Sequence, residues 1–141
     1  MILAIGNDHA GIGLKTELSP LLEGLGLVLM NMGTDTAHAV DYPDYAAYVA
    51  DAVLSGRAQA GLLICGTGIG MSIAANRRHG IRAALCHDVF SARATRLHNN
   101  ANVLVLGARV VGPGHAEEIA RAFFTTDFSN EQRHLQRIGK L

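Results

Sequence analysis

Cys65 stands at the end of an apolar run, Leu62-Leu63-Ile64, and opens the loop Gly66-Thr67-Gly68-Ile69-Gly70. A sulfur there lies beside several bare backbone N–H groups, a pairing suited to removing a proton and holding the oxyanion that results. The thiol works as a base only when its pKa falls from about 8.5 toward neutrality, and a helix N-terminus can lower it. The loop feeds a helical pattern beginning at Ile69, so Cys65 should sit near such an end. A strand-end cysteine that merely packs is the plainer alternative, but three glycines and Thr67 directly after it favour chemistry. Other uses of the loop fail on spacing. It lacks the Gly-Lys-Ser/Thr ending of a nucleotide phosphate loop. It is not G-x-G-x-x-G, and it follows the third strand, not the first. Met71 stands where a cysteine phosphatase needs arginine. The seven histidines show no paired helical spacing, so neither metal nor cofactor is expected.

Asp8 and His9 end the first apolar run. Such a pair can bind hydroxyls or phosphate and move protons near neutral pH, or Asp8 can cap the following helix. His98-Asn99-Asn100 closes a helical pattern, where asparagine is also a common C-terminal cap. Arg109, Arg133, His134 and Arg137 come late. Arg133 and Arg137 are four apart and share a helix face, as a phosphate clamp or as a solvated basic face. Tyr42 precedes Pro43 at a helix start, to reach a site or to pack. Cys86 and His87 have no glycine loop and read as structural, and Asp35–Val40 carries no readable motif.

These groups need a scaffold. Nearly continuous apolar runs predict strands at 2–5, 27–31, 61–65, 82–86 and 103–106, covered on both faces. Helical patterns lie between them at 11–24, 42–55, 69–78, 89–98 and 115–125, with a last helix from Ser129 as N-cap. Pro20 predicts a kink or early stop in the first helix. The alternation implies one α/β domain over residues 1–141: a three-layer, Rossmann-like, doubly wound five-stranded parallel sheet with helices on both faces. Ligands in such folds sit beyond the carboxyl ends of the strands, where Asp8, His9, Cys65 and Arg109 fall. For Cys65 to act, its sulfur must face a cavity and Arg133 and Arg137 must share its side.

Composition bounds the partners. The chain has 141 residues, 49% of them hydrophobic, and a formal net charge of zero. That gives no general reason to bind nucleic acid or an anionic membrane. Of 12 cationic side chains only Lys15 and Lys140 are lysine, and arginine suits bidentate gripping of phosphate. Two cysteines make no disulfide framework. No apolar run reaches the ~20 residues of a membrane span, and no signal peptide pattern opens the chain. A soluble, cytoplasmic protein is expected.

Together these segments resemble the ribose-5-phosphate isomerase B family, in the wider group that includes galactose-6-phosphate isomerase subunits. The resemblance covers nearly the whole chain. It rests on Gly6 to Gly11, Asp41-Tyr42-Pro43, Ile64 to Gly70 with Ser72 to Asn76, Gly80 to Ala83, His98-Asn99, Gly107 to Gly112, and Arg133-His134 with Arg137. It implies a metal-free aldose–ketose isomerase working through a cis-enediol, with Cys65 as the base between C1 and C2. Thr67 and the N–H groups of Gly66, Gly68, Ile69 and Gly70 would hold the enediolate. His98 would open the sugar ring, and Asp8 and Tyr42 would contact sugar oxygens. His9, Arg109, Arg133 and Arg137 would bind phosphate, and Asn99 a hydroxyl or the developing charge. The resemblance further implies a homodimer, or a tetramer of dimers, with the site between subunits. Related branches typically lack the histidine of His9 or of His98. Both are present, which favours ribose 5-phosphate over a hexose 6-phosphate of the allose type. A phosphometabolite-binding module is the non-enzyme alternative, but a pure binder needs no base.

Overall fold

The computed structural model describes all residues 1–141. The apolar runs become β1 (Ile2–Asn7), β2 (Val28–Asn31), β3 (Ala60–Cys65), β4 (Ala83–Leu85) and β5 (Val103–Gly107). The amphipathic stretches become α1 (Ile12–Gly24), α2 (Tyr42–Leu54), α3 (Ile69–Asn76), α4 (Val89–Asn99), α5 (Pro113–Thr125) and α6 (Gln132–Ile138). All strands pair in parallel, in the order β2-β1-β3-β5-β4. The expected five-stranded Rossmann-like sheet with helices on both faces is therefore the fold.

Strand alternation divides the core in two. Leu3, Ile5, Leu62, Ile64, Leu104 and Leu106 point to one face, with Leu18 and Leu22 of α1, Ala92 of α4 and Ile119 and Phe123 of α5. Ala4, Leu63, Cys65, Val103 and Val105 point to the other, with Val49 and Ala50 of α2 and Met71 and Ala75 of α3. Fully burying one leucine or isoleucine contributes about 1.5–3 kcal/mol, so each layer holds its helices firmly.

Three expectations change. β2 is an edge strand with Val28 largely exposed, so it is not covered on both faces. α1 runs through Pro20 to Gly24 without the early stop. α6 begins later than Ser129, with Glu131 as its N-cap. A short 3₁₀ turn, His9–Gly11, also precedes α1.

The site depends on where the chain reverses. From β1 it steps outward to β2, then returns past β1 to β3. The carboxyl ends of β1 and β3 flank this switch point, where open α/β sheets leave a crevice. No helix is long and apolar enough to cross a membrane.

Candidate active site at the switch point

β1 and β3 run side by side, with Asn7 paired to Ile64, so Asp8 and Cys65 leave the sheet together. The Asp8 N–H donates to the Ile64 carbonyl at 3.2 Å. Asp8 is buried and its carboxylate accepts the Ala10 N–H at 2.9 Å, so it does cap the 3₁₀ turn that carries His9. Val40 donates its N–H to His9 Nδ1 at 3.3 Å.

The glycine loop turns around the sulfur. Gly68 adopts φ +77°, a left-handed conformation that glycine accepts freely, and caps α3. Its N–H donates to Cys65 Sγ at 3.2 Å. The Ile69 N–H donates to Thr67 Oγ1 at 3.3 Å. The first turn of α3 leaves further N–H groups without intrahelical partners. These amides and Thr67 lie within a few residues of the sulfur, as proton abstraction with oxyanion support requires.

Two side chains close over the loop because glycines leave room. A Cβ on Gly70 would come within 2.5 Å of the Tyr42 ring, so Tyr42 lies directly against it. A Cβ on Gly66 would lie 3.2 Å from an Arg109 guanidinium nitrogen. β5 supports this side: Ala108 and Arg109 donate their N–H groups to the carbonyls of Cys65 and Gly66 at 2.8 and 2.9 Å. Asp8, His9, Tyr42, Cys65, Gly66, Thr67, Gly68, Ile69, Gly70 and Arg109 thus gather at one end of the sheet.

The remaining residues do not join them. α4 starts beyond the carboxyl end of β4 and descends, so His98 and Asn99 lie at the amino end of β5. Four residue steps of β5 separate the two ends, about 13 Å at 3.3 Å each. There α6 packs on α4, and the rings of His98 and His134 stack with centroids 4.6 Å apart. His98, Asn99, His134 and Arg137 line a cleft of about 280 Å³. Arg133 is not among its lining residues and pairs with Glu131 at 2.7 Å. Cys65 is only 4% exposed and lines none of four cavities of about 210 to 600 Å³. Within one chain, then, none of these cavities opens on the sulfur, and Arg133 and Arg137 lie at the far pole.

His134 was legible only as a member of the late basic group. Burial, then its neighbour His98, holds its pKa below the ordinary histidine value. Its Nε2 is buried without a partner. Cys86 is structural as expected: burial, reinforced by Asp88, pushes its thiol up to about 11. Both cysteines are free thiols.

Residues 3–141 match the Ribose/Galactose Isomerase family. A Bacillus subtilis (strain 168) protein provisionally named the sugar phosphate isomerase YwlF is 52% identical over 142 residues, covering 100% of this chain and 95% of its own. Ribose-5-phosphate isomerase B of Escherichia coli (strain K12) is 44% identical, covering 96% of this chain and 91% of its own. The solved structure of ribose-5-phosphate isomerase B from Clostridium thermocellum superposes with a TM-score of 0.96 at 46% identity, over 99% of this chain and 94% of that one.

Proposed function

This chain belongs to the ribose/galactose isomerase family, and on that premise we propose that it interconverts ribose 5-phosphate and ribulose 5-phosphate through a cis-enediol intermediate. It is an aldose–ketose isomerase of the ribose-5-phosphate isomerase B type. The observation that carries the mechanism is the Cys65 sulfur accepting the Gly68 N–H at the head of a glycine loop. That donor holds the sulfur in place beside the loop, and the neighbouring amides serve the substrate oxygen.

Cys65 removes the hydrogen from C2 of the open-chain aldose, and the electron pair moves into a C1–C2 double bond. O1 becomes an oxyanion held by the N–H groups of the Gly66–Gly70 loop. The thiol, open to exchange with solvent, then delivers a proton to C1, while the hydroxyl proton leaves O2 and settles on O1 beside Thr67. A carbon acid beside a carbonyl is weak, so base and oxyanion donors must act together. General base help contributes about 10²–10⁴-fold and one oxyanion donor about 10²–10³-fold. Asp8 and Tyr42 contact sugar oxygens. His9, Arg109, Arg133 and Arg137 hold the phosphate, whose binding energy positions the reacting carbons.

His98 opens the furanose ring and Asn99 meets a hydroxyl, but both sit at the opposite pole of their own chain. A second copy therefore supplies them, with Arg133 and Arg137, to the Cys65 loop of the first. Exposed apolar residues on the loop's own helix, Ile69 at 52% and Ile73 at 58%, support burial of that face in a homodimer or a tetramer of dimers. A coupled isomerisation assay over four-, five- and six-carbon sugar phosphates tests the substrate. Highest kcat/KM on ribose 5-phosphate is expected, and a preference for allose 6-phosphate would overturn the pentose assignment. No C2 deuterium exchange with any of them would leave a binding module instead.

A further inference from the structure

The segment between β2 and α2, without a readable motif, is braced by a buried lysine that the mechanism does not use. Lys15, on α1, is 8% exposed. Its Nζ donates to Asp35 Oδ1 at 2.5 Å, Asn31 Oδ1 at 3.1 Å and the Thr34 carbonyl at 3.2 Å. All three ammonium protons are thereby used. Asn31 Nδ2 donates to the other Asp35 oxygen at 2.9 Å. Thr34 is also tied to β1, its N–H donating to the Asn7 carbonyl at 3.1 Å while its own carbonyl accepts Asn7 Nδ2 at 2.9 Å. The far end of the segment reaches the site, where the Val40 N–H meets His9 Nδ1.

A ring nitrogen that accepts a hydrogen bond carries no proton, and a neutral imidazole has only one to place. With Val40 donating to Nδ1, the proton is on Nε2. A phosphate oxygen accepts only, so the Nε2–H form binds it, whereas the other tautomer would present a lone pair to it.

Resting on the reading that His9 meets the phosphate, we infer that Lys15 and Asp35 are positioning residues that lock the β2–α2 segment, so that the Val40 amide fixes His9 as the Nε2–H donor. A buried ammonium would not persist at this place without such a set of acceptors. The Asp35 carboxylate is two-thirds exposed, so its isosteric amide leaves the core untouched.

The test is tautomer-resolved 1H–15N spectroscopy of histidine-labelled protein at mildly alkaline pH, on wild type, Asp35→Asn and Lys15→Met. In wild type, His9 should show a bare Nδ1 and a protonated Nε2. In both variants the tautomers should mix, inorganic phosphate should bind about 3- to 10-fold more weakly, and KM for ribose 5-phosphate should rise equally with kcat within about two-fold. A wild-type His9 protonated at Nδ1, or a folded Asp35→Asn protein with unchanged His9 signals, would overturn the inference. Should Lys15→Met not fold, Asp35→Asn decides alone. The tautomer readout needs no ligand, so a wild type that ignores both phosphate and ribose 5-phosphate would sink the functional reading separately.

Discussion

The proposed proton transfer at Cys65 and phosphate binding at Arg137 would leave different kinetic traces. Cys65→Ala removes the base and should lower kcat by at least about 10²–10⁴-fold, while calorimetry shows sugar-phosphate binding largely kept. Normal turnover in that variant would take the sulfur out of the mechanism. Arg137→Ala removes an interaction that substrate and transition state share, so KM should rise about 10- to 100-fold with kcat little changed. A loss confined to kcat would contradict the phosphate role. His134 gives a pH signature. Its folded pKa lies below the unfolded value near 6.5, chiefly through burial. Its contribution to stability is therefore full above about 6.5 and is lost as pH falls through the lower folded value. His134→Phe should flatten that acid-side decline in melting temperature, and an unchanged slope would show that other groups govern it.

The elements decide whether those side chains meet anything. Gly68 is the hinge between β3 and α3, and a Cβ there would strike Leu85 at 2.5 Å and the Leu106 backbone at 3.0 Å. Gly68→Ala should cost about 1–3 kcal/mol by chemical denaturation, from φ strain and collision, and should lower kcat by displacing the N–H on the sulfur. Gly13, in α1 with nothing within 4 Å of an added Cβ, makes the contrast. Gly13→Ala should stabilise by about 0.5–1 kcal/mol at unchanged activity. The elements themselves were largely legible, because burial on both faces imposes apolar runs on β1, β3 and β5. So was the Cys65 loop, since strand, glycines and helix are contiguous. The edge position of β2 was not, because its four residues are nearly as apolar as a central strand. The late start of α6 was hidden by Ser129, a good cap residue whose hydroxyl accepts the Glu131 N–H without starting the helix. Nor could spacing reveal that α4 carries His98 to the opposite pole, since that depends on which way each helix runs between strands.

At the scale of the whole molecule, subunits defective in different halves should repair each other. At substrate well below the raised KM, where the Cys65→Ala and Arg137→Ala proteins each turn over little, unfolding and refolding them together should restore up to about a quarter of wild-type activity, because half the random pairs carry one intact centre. No recovery would place both residues in a centre built from one chain. The separation of the two poles also limits how copies can join. Stacking end on end satisfies each junction but leaves an unmatched pole at both tips, so such a column grows without a natural length. Lying antiparallel about a twofold axis, two copies use up every pole between them. A closed pair of the kind proposed would therefore meet flank against flank, and the exposed Ile69 and Ile73 on the outer edge of α3 would be the apolar part of that flank.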